Sequence, residues 1–166
     1  MNQYAEFFLS SKSSVVQLEL LELSHPSFSK TYRIVRNAAQ GVTVTLENGD
    51  VEFFQYYPAN IEGVGVRDDL DFGLSVQLGD LGEIIPQELD RVTNEGTFNI
   101  LPDLIYRTYR SDDLENILFG PIRLSARNFS FREEGATFIA NAPALNSTKT
   151  GKLYTFEDFP MLRGFV

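Results

Sequence analysis

The chain has 166 residues, enough for one domain, and its 23 Asp and Glu against 14 Lys and Arg give a formal charge of -9. This acidic balance argues against direct binding of nucleic acid, because contacts to phosphates need clustered cations. The sequence has no Cys, which excludes disulfides, thiolate metal sites and cysteine nucleophiles. It has no apolar run long enough to cross a bilayer, and residues 1–6 lack the basic start of a signal peptide. We therefore expect a soluble intracellular product with no membrane insertion.

Aromatic and β-branched residues dominate the first part of the chain. Many of the 14 Phe and seven Tyr stand beside Val, Ile or Thr, a composition typical of half-buried strands. In chain order, apolar runs predict strands over 15–23 and 32–36, followed by a hairpin of 42–46 and 51–57. Asn48-Gly49 lies between the last two runs and predicts a type I′ turn, in which both central residues have positive φ.

The middle of the chain contains a glycine-rich stretch, a strand and a helical pattern. Residues 59–69 are predicted to form an extended loop or arm, or the tip of a hairpin, and residues 70–78 a strand with one face in the core. Apolar residues then follow helical spacing from Leu81 to Val92. Asp80 or Gly82 is expected to cap a first turn, and Pro86 to start the main helix, because proline is tolerated at the first helical position.

The second half returns to strand patterns. Strands are predicted over 104–110, 122–131 and 136–140, with a turn over 111–115. The fold is therefore predicted to be mainly β (α+β), with all of 1–166 in one domain. Two architectures remain open: an antiparallel β-sandwich, or a split β-barrel, with one short helix near residues 80–93.

Residue types that carry catalysis are sparse. The single histidine, His25, precedes Pro26 in a predicted turn and is expected to be an ordinary loop residue. Gly63-Val64-Gly65 lacks the third glycine of a nucleotide fingerprint. Adjacent carboxylates in turns usually face water, and they occur here at Asp68-Asp69, Asp112-Asp113 and Glu133-Glu134. We expect no enzyme activity, no metal and no cofactor. An enzyme alternative, a carboxylate-dependent hydrolase, has Asp71 as its best candidate.

The last third of the sequence carries two apolar motifs. Leu118-Phe119-Gly120-Pro121 precedes a predicted strand, and Phe159-Pro160-Met161-Leu162-Arg163-Gly164 lies near the end of the chain. Together with Gly79-Asp80 and Tyr106-Arg107-Thr108-Tyr109, they resemble the small tail proteins of long-tailed bacteriophages, which are similar to minor tail proteins and hub adaptors. The iron-sulfur members of that group replace part of the terminal motif with cysteines, so a cluster is excluded here.

The resemblance implies a structural virion protein, assembled in the host cytoplasm, that forms a homo-oligomeric ring at the distal end of the tail tube. Its partners would be other tail-tip proteins and tail-tube subunits. The apolar density of both motifs makes these residues candidates for packing or for an interface: Phe119, Pro121, Phe159, Pro160, Leu162, Arg163 and Phe165.

A carbohydrate-binding β-sandwich is the alternative function. Tyrosine rings can stack on sugars, and the candidates are Tyr56, Tyr57, Tyr106 and Tyr109. Against this stands the lack of Trp, the side chain with the largest stacking face.

Overall fold

The computed structural model of the protein describes residues 15–64, 73–79, 84–132 and 135–142. Within these ranges it contains nine strands and one helix, and the prediction of a mainly β fold is confirmed. The elements are β1 (Gln17–Ser24), β2 (Tyr32–Val35), β3 (Val42–Thr45), β4 (Val51–Tyr56), β5 (Ala59–Gly63), β6 (Gly73–Leu78), α1 (Ile84–Asn94), β7 (Asp103–Arg110), β8 (Asp113–Arg132) and β9 (Gly135–Asn141).

The strands form one open mixed sheet in the order β3-β4-β2-β1-β7-β8-β9-β6-β5. Every neighbouring pair is antiparallel except β2 and β4, which run parallel with Ile34 beside Gln55. The expectation of a wholly antiparallel fold is therefore wrong for this pair. The reason is that the chain passes from β2 to β3 at the edge of the sheet and returns through a hairpin, which aligns β4 with β2.

A two-residue connection links strands from distant places in the sheet. Tyr57 and Pro58 join β4, second in the order, to β5, ninth in the order. The Tyr57 N–H donates to the Val35 carbonyl at 3.2 Å, and the Gly79 N–H donates to the Pro58 carbonyl at 2.8 Å. The sheet therefore coils until its β2–β4 region and its β5–β6 end meet along one seam.

Strand β5 corrects the prediction of a loop over 59–69. Residues 59–63 pair with β6, and Ala59 and Ile61 pack toward the core opposite Leu78 and Val76. Only two apolar residues of β5 point inward, and the strand contains Asn and Gly, which are poor strand formers. The local sequence therefore did not predict a strand here. Residues 65–69 lie outside the described residues.

Two apolar cores lie on opposite faces of the sheet. Because successive side chains of a strand point to opposite faces, β1 sends Leu21 and Leu23 into one core and Leu18 and Leu20 into the other. We call them the helix-side core and the opposite core. The helix-side core also contains Leu74, Val76, Leu78, Ile85, Leu104, Leu124 and Phe138, and the opposite core Val35, Val42, Val44, Leu46, Phe54 and Tyr109.

Helix α1 packs against the helix-side core through Ile85, with Ile84 and Leu89 beside it, which confirms the predicted helix. The described helix begins at Ile84, so Pro86 lies within its first turn, where a missing N–H breaks no helical hydrogen bond. The proposed caps at Asp80 and Gly82 lie outside the described residues.

The β3–β4 hairpin is confirmed, but its turn is not type I′. Gly49 has φ of 87°, whereas Asn128 is the only non-glycine residue with positive φ in the described ranges. The Gly49 N–H donates to the Leu46 carbonyl at 3.0 Å, and the Leu46 N–H donates to the Asp50 carbonyl at 2.8 Å. Three residues therefore form the loop, with the left-handed conformation confined to glycine.

Strand β8 begins nine residues earlier than residue 122 and runs to Arg132. The predicted turn over 111–115 is reduced to Ser111 and Asp112, because the next residues already belong to the β7–β8 hairpin. The register between β7 and β8 shifts between Tyr106 and Arg110, and the peptide bond between Gly120 and Pro121 is cis.

Candidate interaction surface

Two of the seven predicted packing or interface residues fall in the described part of the chain. Phe119 and Pro121 lie on β8. Phe119 is 39% exposed, and the centres of the Phe119 and Tyr106 rings lie 6.5 Å apart in an edge-to-face arrangement. Gly120, between them, has φ of 100°, and a Cβ there would lie 2.7 Å from the Tyr106 carbonyl oxygen. The other five, Phe159, Pro160, Leu162, Arg163 and Phe165, lie outside the described residues.

Arg107 is the centre of a buried ion network. Its Nε and Nη2 donate to the two carboxylate oxygens of Glu47 at 2.9 and 2.8 Å, and its Nη1 donates to Glu22 at 2.8 Å. Hydrogen bonding to this guanidinium lowers the pKa of the Glu47 carboxyl. Burial opposes the charge of Arg107, but its two carboxylate partners outweigh burial and raise the pKa of Arg107. The network joins β7 to β1 and to the β3–β4 hairpin, so Arg107 has a structural role.

Tyr106 and Tyr109, which lie close to Arg107 on β7, are also buried. The Tyr109 hydroxyl donates to the Thr45 carbonyl at 2.7 Å, and burial raises the pKa of Tyr109 to about 12. The Tyr106 hydroxyl donates to Glu19 at 3.1 Å. Because both rings are buried, the expectation that they stack on sugars is wrong; Tyr56 is exposed and Tyr57 is half-buried.

Glu88 is a buried carboxylate on α1, which sequence reasoning missed. It accepts hydrogen bonds from the Ser29 N–H at 2.9 Å, the Ser29 hydroxyl and the Tyr32 hydroxyl at 2.7 Å. Burial favours the neutral acid, but these donors, helped by Arg91, outweigh burial and lower the pKa of Glu88. The group therefore fastens α1 to β2 and the preceding loop, and its shift is opposite to that of a general acid. Asp71, the hydrolase candidate, lies outside the described residues.

His25 lies in a loop, as predicted, but it is buried. Its Nδ1 accepts the Ser27 N–H at 3.1 Å, so Nε2 is assigned the proton and donates to the Ile100 carbonyl at 3.1 Å. The hydroxyls of Ser27 and Thr97 lie 2.6 Å apart. These contacts brace the segment between α1 and β7 against the loop that follows β1.

The braced segment presents large apolar side chains to solvent. We call residues 97–101 the apolar loop; Phe98 is 75% exposed, Ile100 44% and Leu101 38%. The Thr97 N–H donates to the Val92 carbonyl at 3.1 Å, and the Ile100 N–H donates to the Thr97 carbonyl at 2.9 Å. Residues 98–101 were not among the interface residues predicted from the sequence. The density of apolar residues in this short stretch between α1 and β7 could have indicated an exposed apolar surface.

Two cavities open beside β4. The first, which we call the seam cavity, has a volume of about 460 Å³ and lies where β5 and β6 approach the end of β2. It is lined by Arg36, Asn37, Tyr56, Pro58, Ala59, Asn60, Gln77 and Gly79. The second, the β2–β4 cavity, has a volume of about 150 Å³ and is lined by Lys30, Thr31, Tyr32, Arg33, Ile34, Phe53, Gln55 and Tyr57.

Within the described ranges, no three His, Asp or Glu side chains cluster in a way that could hold a metal ion. A helix long and apolar enough to span a membrane is likewise absent from those ranges. Some carboxylates of the described part instead accept hydrogen bonds from cations or from turn N–H groups. Asp112 accepts from Arg110, and Asp113 accepts from the N–H groups of Glu115 and Asn116.

Most of the chain matches a single protein-family model. A family model described as a domain of unknown function (DUF1833) matches residues 4–133. The match includes α1, the apolar loop and both cavities. No curated protein matches the chain significantly.

Proposed function

The chain belongs to the DUF1833 family, and we propose that it is a structural component of a bacteriophage tail tip that forms a ring between the tail tube and the distal hub. It has no catalytic role in this proposal. Its partners are further copies of itself, tail-tube subunits and other tail-tip proteins. Its location is the virion tail, after assembly in the host cytoplasm.

The apolar loop is the observation that carries this proposal. Its large side chains are exposed on a segment held by hydrogen bonds from His25 and Thr97, so docking it requires little additional ordering. Several exposed large apolar side chains on one hydrogen-bonded segment are characteristic of a protein–protein interface. The resemblance of the tyrosine motif 106–109 and of the two apolar motifs, 118–121 and 159–164, to tail proteins indicates the kind of assembly.

The test is deletion of the gene from the genome that encodes the chain, followed by electron microscopy of the particles. We expect particles without a complete tail tip and loss of infectivity, both restored by the wild-type gene in trans. Normal, infectious particles after the deletion would contradict the proposal.

Carbohydrate binding is a second candidate, favoured by the seam cavity. Exposed Tyr56 lies there beside the amides of Asn60 and Gln77, a combination that can stack on a sugar and hydrogen-bond its hydroxyls. A glycan array distinguishes the two functions. A ring protein binds no glycan, whereas a carbohydrate module shows a signal that Tyr56→Ala removes and that Tyr57→Phe, a change outside the lining of the seam cavity, leaves largely in place.

A further inference from the structure

The apolar loop has an acidic border. Glu95 and Asp103 are exposed on its two sides, just before and just after the loop in the chain. Phe98 is the most exposed large apolar side chain of the described residues. The segment therefore combines an exposed aromatic side chain with an exposed carboxylate on either side of it in the chain.

The β2–β4 cavity has the opposite character. Its apolar lining comes from Ile34, Phe53 and Tyr57, and Phe53 is 54% exposed at its border. The charged residues that line it are Lys30 and Arg33, with no carboxylate among the lining side chains. The ammonium of Lys30 lies 5.2 Å from the centre of the Tyr32 ring, at the cavity.

Arg33 is already paired, since its Nη2 lies 3.0 Å from Glu52. Lys30, an exposed residue, is therefore the cation that an incoming acidic border meets first. The two surfaces are complementary in charge, both expose aromatic side chains, and every copy of the chain carries both.

We propose that Phe98 of one copy inserts into the β2–β4 cavity of a second copy, with Glu95 or Asp103 facing Lys30. This inference rests on the proposed function, because a ring requires each copy to contact two neighbours. The loop and the cavity are different surfaces, so each contact leaves one loop and one cavity available, and successive copies join head to tail. In the single chain Phe98 is exposed, so its own cavity is not its binding site.

The experiment is analytical ultracentrifugation of the full chain over a range of concentrations, with variants at each surface. We expect wild type to form species above the 18.8 kDa monomer. Phe98→Ser and Lys30→Glu should each weaken self-association by about tenfold or more, as expected of central interface residues. Phe131→Ser is the matched control, because Phe131 is an exposed aromatic on β8 that belongs neither to the apolar loop nor to the lining of the cavity, and it should leave association unchanged. Circular dichroism melting confirms that each variant is folded.

Mixing the two defective variants gives the sharpest result. Phe98→Ser retains an intact cavity and Lys30→Glu an intact loop, so the mixture should form a one-to-one dimer that neither variant forms alone. A monomeric wild type, assembly that survives both substitutions, or a mixture without dimers would overturn the proposed contact. If the chain is nevertheless found in virions, the proposed function stands and only this contact is wrong.

Discussion

Gly49 shows how one backbone conformation is required at a hairpin turn. Its φ is 87°, and no neighbouring atom lies within 4 Å of the position of an added Cβ. The cost of a side chain at this position therefore comes from the backbone and not from a clash.

Gly49→Val is expected to lower the free energy of unfolding by about 1 kcal/mol or more, because a β-branched residue resists positive φ. Gly49→Asn is the control, since asparagine tolerates the left-handed region, and it should cost less. Chemical denaturation measures both. Equal stability of wild type and the Val variant would show that the loop adopts another conformation in solution.

Glu88 is the second residue whose environment sets a measurable property. Its lowered pKa means that the ionised form of the Glu88 carboxyl is more favoured, relative to the neutral acid, in the folded chain than in the unfolded chain. The stabilisation is complete above the ordinary pKa of 4.5 and is lost as pH falls through the lower folded value. Glu47, whose pKa is also lowered, contributes with the same sign.

Glu88→Gln should therefore cost about 1–3 kcal/mol at neutral pH, where the charged acceptor is lost. It should also reduce the loss of stability below pH 4.5. Asp90→Asn, an exposed change on the same helix, is the control and should stay within about 0.5 kcal/mol of wild type. Denaturation curves at several pH values measure the free energy of unfolding of each variant. If the stability of Glu88→Gln falls below pH 4.5 as steeply as that of wild type, the lowered pKa of Glu88 is wrong.

At the scale of elements, Arg107 is the tie between β7, β1 and the β3–β4 hairpin. Removing a buried cation leaves two carboxylates without their partner. We expect Arg107→Met to cost about 3 kcal/mol, the low end for a broken buried pair, because Glu47 is one-third exposed.

Arg36→Met is the comparison for that measurement. Arg36 also pairs with a carboxylate, that of Glu19 at 2.6 Å, but its side chain is 36% exposed and should contribute only about 0–1 kcal/mol. Thermal or urea unfolding of both variants tests the difference. If the two substitutions lower the free energy of unfolding by similar amounts, burial does not determine how much the Arg107 ion pairs contribute to stability.

The elements that could be predicted from sequence are those with a strong local pattern. The β3–β4 hairpin and α1 follow alternation and helical spacing, and both are present. The parallel pairing of β2 with β4 was not predictable, because it depends on where β3 lies in the sheet. The partners of Arg107 are 60 and 85 residues away in the chain, so its burial in an apolar-looking strand has no local signal.

The candidate surface was less predictable than the fold. Exposure of Phe98 depends on how α1 ends and how His25 braces the following segment, and neither follows from residue type. Phe119 was singled out from its motif and lies partly exposed on β8. The terminal motif around Phe159 and Leu162 lies outside the described residues, so its role in packing or assembly stays a prediction.

At the scale of the whole molecule, a coiled sheet holds two cores on its opposite faces and leaves an apolar loop and an aromatic cavity at its surface. The formal charge of -9 opposes self-association, because copies of like charge repel one another. The proposed head-to-tail contact offsets part of this repulsion locally, because it places acidic residues beside the apolar loop against a surface that carries Lys30. The charge distribution is therefore compatible with a self-assembling ring.

The most direct test of this account is the number of copies of the chain in purified virions, measured by mass spectrometry against isotope-labelled peptides. A structural ring predicts a small, constant number of copies in every preparation, retained after salt washing. Absence of the chain from purified particles would contradict the account.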